Sequence, residues 1–88
     1  MKLRGEFVVR TVMDDIVAIP VGDTALQLGG LLLLNQVSAV IWQCLEKETS
    51  TEEIVQAVTD AFEVSPEEAR ADILEFLDKL RAADLLQE

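Results

Sequence analysis

The run Leu31-Leu32-Leu33-Leu34, set between Gly29-Gly30 and Asn35, constrains this chain more than any other feature. Four consecutive leucines between turn residues read as a short strand with apolar side chains on both faces. A chain of 88 residues has little material with which to bury both. Two answers are open at this level. Either helices cover both faces, or the strand is central, and the leucines are core. Alternatively, the run is a sheet edge held open for another polypeptide, since it has none of the Lys, Pro or charge that usually blunts such an edge.

The sequence before the run speaks of strands. Residues 7–13, FVVRTVM, and 16–21, IVAIPV, are rich in β-branched residues, with a tight turn expected at Asp14-Asp15. Pro20 cannot donate to a ladder and marks a strand end or a bulge. ALQL at 25–28 alternates, with Leu26 and Leu28 on one face, so 25–34 reads as one kinked strand or a tiny hairpin.

After Asn35 the period becomes helical. Asn35 is a suitable N-cap, and Val37, Val40, Ile41, Cys44 and Leu45 form one apolar stripe of a helix over about 36–47. Ser50 and Glu53 have capping-box spacing before Ile54, Val58 and Phe62. Ser65, Pro66 and Glu68 repeat that signature and open a third helix over about 66–83, with Ala69, Ile73, Phe76, Leu77 and Leu80 inward. The fold class expected is α+β, a winged helix-turn-helix with a three-stranded antiparallel N-terminal sheet followed by three helices. It should form a single domain over 1–88, with residues 1–5 frayed.

Composition removes several function classes. With 17 Asp and Glu against 7 Lys and Arg, the formal net charge of −10 repels nucleic acid and anionic membranes, and the cations form no cluster. The third helix carries five acids and three bases, the wrong balance for reading a DNA groove, so a winged-helix transcriptional regulator is the weaker alternative. There is no His and one Cys, which leaves no disulfide or His/Cys zinc site within one chain. Neither a signal peptide nor a membrane span is visible, and the chain reads as cytoplasmic.

Catalysis finds no footing. Ser38, Ser50 and Ser65 have no His to activate them, and two of the three look like caps. Cys44 reads as a small buried hydrophobe, and the carboxylates of the third helix read as a solvated face. No enzymatic activity, cofactor or metal is expected. On the third helix, Arg70, Leu74, Leu77 and Arg81 follow i+4 and i+3 steps and fall on one line. Leu74 either completes the core or joins a second wall of a groove whose first wall is the leucine strand. Trp42 lies beside the apolar stripe, which suggests partial burial against the sheet.

An ordered set of short motifs then comes into view: Leu34-Asn35, Ile41-Trp42, Thr51-Glu52-Glu53-Ile54, Phe62-Glu63-Val64, Ala71-Asp72 with Phe76-Leu77, and Leu85-Leu86. From about Ile16 to Leu86 the chain resembles the PqqD family of precursor-peptide recognition elements. The resemblance implies a non-catalytic peptide chaperone of natural-product biosynthesis. Such a domain captures the leader of a ribosomally made, later modified precursor peptide as an antiparallel strand beside the third strand and against the third helix. It then presents that peptide to a maturase, often a radical S-adenosylmethionine enzyme of SPASM type, whose clusters belong to the enzyme. Carried onto this chain, the receiving strand is Leu31, Leu32, Leu33 and Leu34, with Leu26 and Leu28 as an extension, and the helix wall is Arg70, Leu74, Leu77 and Arg81. Without a leader, the same edge is a candidate for pairing with a second copy. Where the family often has Gly, after the first helix and before the last leucines, this chain has Lys47-Glu48 and Asp84, which suit a left-handed position less well. Pyrroloquinoline quinone as the product is not implied, since related domains serve many pathways.

Overall fold

The computed structural model describes all residues, 1–88. It is a mixed α+β structure with a small antiparallel sheet and four helices. Two compact units are present: a sheet unit, Gly5–Ala39, and a helical unit formed by Met1–Arg4 and Val40–Glu88.

In the sheet unit, β2 (Phe7–Val12) and β3 (Asp15–Pro20) form a hairpin whose register runs from Phe7↔Pro20 to Val12↔Asp15. The loop is therefore Met13-Asp14, one residue earlier than the expected Asp14-Asp15. Asp15 is drawn into the ladder as the partner of Val12, which leaves Met13 at the first loop position with φ 58°. Two-residue hairpin turns need a positive φ there to match the strand twist, and Gly is the residue that takes it freely.

Residues 25–28 are not strand. Asp23–Gln27 form a one-turn helix, α1, and Leu28 is its extended C-cap. Ala, Leu and Gln are all good helix formers, and an alternation over four residues is too short to fix a period. The turn is secured from a distance: buried Thr24 accepts a hydrogen bond from the Glu6 amide through Oγ1 at 2.8 Å. Gly5 permits this approach, because a Cβ there would lie 2.9 Å from the same Oγ1. The chain resumes strand structure only at β4 (Leu32–Leu34), which pairs antiparallel with β3, and Asn35 then opens α2 (Gln36–Leu45). Val17, Ala18 and Leu34 are the buried apolar residues of the sheet unit.

The helical unit holds most of α2, all of α3 (Thr51–Ala61) and α4 (Pro66–Ala82), and a two-stranded sheet. Both capping signatures form as expected. Ser50 accepts from the Glu53 amide at 3.2 Å and Ser65 from the Glu68 amide at 3.1 Å, with Pro66 in the first turn. The buried faces are Ile54, Val55 and Val58 on α3, and Ala69, Ile73, Leu77 and Leu80 on α4. Phe62 is not on the buried face of α3; it is the half-buried, extended C-cap that ends it.

Two further expectations are corrected, the first by long-range pairing. Residues 1–5, expected to fray, include β1 (Lys2–Leu3), which pairs with β5 (Leu86–Gln87), and the Arg4 amide donates to the Leu85 carbonyl at 2.7 Å. Trp42, expected to be partly exposed, is buried along with Ile41 and Leu45. The end of α4 is made without glycine. The Leu85 amide reaches back to the Leu80 carbonyl (2.8 Å) and the Asp84 amide to that of Arg81 (3.0 Å), the two bonds of a Schellman motif. Asp84 takes the left-handed position at φ 59°, and its carboxylate meets Arg4 at 3.0 Å.

Candidate peptide-binding site

The β3–β4 ladder has only three pairs, Ile16↔Leu34, Val17↔Leu33 and Ala18↔Leu32, and both of its limits have local causes. The next hydrogen-bonded pair towards the glycines would set Gly30 against Pro20. The two-residue loop makes Val12↔Asp15 a hydrogen-bonded pair, so Asp15, Val17 and Ile19 direct their amides and carbonyls to β2. Ile16, Ala18 and Pro20 consequently face β4, and Pro20 has no N–H to give. At the other limit, the Asn35 amide donates to Ser38 Oγ at 2.8 Å while the Ser38 amide donates to Asn35 Oδ1 at 2.7 Å. This reciprocal cap turns the chain into α2.

The same alternation decides what β4 presents. Leu32 and Leu34 bond to β3, and their side chains are half-buried and buried. Leu33, and Leu31 just before the strand, turn their backbone groups away from β3, and their side chains are 71% and 53% exposed. The sheet order β2-β3-β4 leaves β4 as an edge with no further strand of the chain beside it.

Of the leucines expected to extend this strand, Leu26 is exposed on α1 and Leu28 is the half-buried cap of that turn. Neither belongs to the edge.

The line expected on α4 divides. Leu74 is exposed and lies with Pro66, Glu67, Arg70 and Ala71 around a surface hollow of about 350 Å³. Leu77 is fully buried and Leu80 nearly so, hence Leu77 is core rather than contact surface. An i+4 step turns about 40° one way around a helix and an i+3 step about 60° the other, so Leu74 and Leu77 stand on opposite sides of the line, one exposed and one buried. Neither arginine is without a carboxylate. Arg70 meets Glu52 at 2.6 Å, and Arg81 meets Glu88 at 2.7 Å and Asp78 at 2.9 Å. Hydrogen bonding from Arg70 holds the Glu52 carboxyl below its ordinary range, as Arg81 does for Glu88. These pairs are exposed, so they set local geometry more than stability.

Elsewhere, Cys44 is half-buried; burial, with the Glu53 charge behind it, pushes its thiol up and away from the reactive thiolate. No group of three or more Cys, Asp or Glu side chains converges in a way that could hold a metal ion. No helix is long and apolar enough to cross a membrane.

An uncapped leucine edge on a mixed α+β chain, beside a helix cap, is the geometry that strand-adding peptide-binding modules use. Comparison with known proteins narrows the class. The family described as "Coenzyme PQQ synthesis protein D (PqqD)" matches residues 10–86, and this chain belongs to it. Among solved structures, it is similar to TbiB1 in complex with the TbiA(beta) leader peptide. The identity is 26% and the TM-score 0.74, over 99% of this chain and 95% of that one. No curated protein sequence matches it significantly.

Proposed function

We propose that this chain is a non-catalytic adaptor that captures the leader of a ribosomally made precursor peptide by strand addition at β4 and hands it to a modifying enzyme. The observation that carries this reading is the edge itself. Leu31 and Leu33 offer unpaired backbone groups and exposed apolar side chains at one margin of the sheet. Membership of the PqqD family, and the leader bound to TbiB1, support the same occupant. The leader enters antiparallel to β4, with ladder bonds giving register and alternate side chains giving specificity. Holding it there raises the local concentration of the attached core peptide at the enzyme, to the millimolar range for a short flexible tether.

The family resemblance points to a radical S-adenosylmethionine maturase of SPASM type as that enzyme, acting in the cytoplasm. It also supports including the α4 flank of Arg70 and Leu74 among the leader's contacts. Without a leader, the β4 edge pairs with a second copy, and the leader displaces it.

The test is titration calorimetry with the leader of a precursor peptide found in the reading frames neighbouring this gene. Binding at about 10 μM or tighter is expected, as is its loss in Leu74→Glu with helical content unchanged. A leader that binds no more tightly than about 1 mM would refute the adaptor. Full affinity in Leu74→Glu would remove α4 from the site. Sedimentation across a range of concentrations, with and without leader, tests the dimer.

A further inference from the structure

We infer that the captured segment is read through the backbone at Leu33 and Leu31 and not at Leu32 or Leu34, and that it carries apolar residues at i and i+2 with basic flanks. This deepens the strand-addition reading and rests on it.

The register follows from groups already engaged. Leu32 and Leu34 direct their N–H and C=O to Ala18 and Ile16. The next outward-facing residue after Leu33 is Asn35, and it is closed to a partner. Its amide is taken by Ser38 Oγ, and its carbonyl accepts from the Ala39 amide at 2.9 Å and from Ser38 Oγ at 3.2 Å. Pairing therefore stops at Leu33 on this side. Leu33 and Leu31 can each exchange two bonds with one residue of an antiparallel strand, and those two partner residues lie two apart.

The side chains obey the same count. Residues directly opposite each other in a ladder share a face. The two partner residues thus stand beside the exposed Leu33 and Leu31, where an apolar side chain removes leucine surface from water and a charged one removes less. The residue between them turns to the face of Leu32 and Leu34.

Charge sets the flanks. The sheet unit holds Glu6, Asp14, Asp15 and Asp23 against Arg10 alone, within a chain of net charge −10. Asp14 and Asp15 line a hollow of about 580 Å³ with Leu34, Asn35 and Gln36, at the end of β4 where the incoming strand begins. Lys or Arg on the captured segment is attracted there, and Asp or Glu repelled.

The experiment uses phage-displayed random dodecapeptides selected on the full chain, with the winners synthesised and titrated. Expected are apolar residues at i and i+2, basic flanks, and a loss of about tenfold or more in Leu33→Pro. That substitution deletes one outward N–H and spares the β3 ladder. The matched Thr11→Pro on β2 should leave affinity within about twofold. Should Leu33→Pro fail to fold, N-methylation walked along the peptide gives the same reading. Two amides two residues apart should be sensitive and the one between them indifferent. Binders without the two-residue period, or with full affinity for Leu33→Pro, overturn the register and leave peptide capture standing. If no displayed peptide binds, and the encoded leader fails as well, both readings fall.

Discussion

The three-stranded sheet ends in β2 on one side and β4 on the other, and the two edges are defended differently. β2 pairs with β3 over six residues, turns the backbone of Phe7, Val9 and Thr11 outward, and carries exposed Arg10 at its middle. β4 has three residues, all leucine, and no charge at all. Proteins discourage stray pairing either by placing charge on an edge or by keeping the edge very short. Here each edge uses one device. Limiting β4 by length, with Pro20 opposite one end and the Asn35–Ser38 cap at the other, leaves its side chains free to be apolar. That is the condition for recognising one defined segment without inviting many.

The comparison is most sharply tested by how each edge is fastened. Leu34 is the buried anchor of β4, so Leu34→Ala should cost about 2–5 kcal/mol in urea denaturation. Val12→Ala, at an exposed position of β2, should stay within about 0.5 kcal/mol. Equal losses would mean that β4 is held by something other than this side chain.

Recognition is tested by matched charge. Leu31→Glu with Leu33→Glu should weaken a selected peptide by about tenfold or more, while circular dichroism stays that of the parent. Val9→Glu with Thr11→Glu, two exposed residues of β2 at the same i, i+2 spacing and with outward-turned backbone, should change affinity by no more than about twofold. The opposite ranking would move the occupant to β2.

What could be read in the sequence, and what could not, follows the range of the interactions involved. The helix starts at Asn35, Ser50 and Ser65 were legible because each cap closes within three residues. The leucine run was legible as a strand in need of cover on both faces, but whether it lay at the centre or at an edge was not. By contrast, α1 depends on Thr24 meeting the Glu6 amide, 18 positions away, and β1 on residues at the far end of the chain. Four residues of ALQL hold no trace of either contact. At the site, a helical line through Arg70, Leu74, Leu77 and Arg81 was visible, but not the boundary that buries Leu77 and leaves Leu74 out. That boundary depends on what packs there rather than on spacing. Asp84 shows a residue accepting a conformation its type does not advertise: the two Schellman bonds and Arg4 hold it where glycine would sit more freely.

Met13 is the same case on the β2 side, and it yields the smallest expected effect. Its positive φ costs an L-residue about 1–2 kcal/mol, while glycine gives back about 0.5–1 kcal/mol through the freer unfolded chain. Met13→Gly should therefore stabilise by about 0.5–1 kcal/mol, seen as a rise in melting temperature of about 2–8 °C. Met13 is 92% exposed, so little packing is lost. If the two edges are independent, peptide affinity should not move, because the strain lies in the turn and the readers, Leu31 and Leu33, lie beyond β3. A gain in affinity that tracks the gain in stability would mean that β3 transmits the order of one edge to the other. The hairpin would then set how firmly β4 is held open.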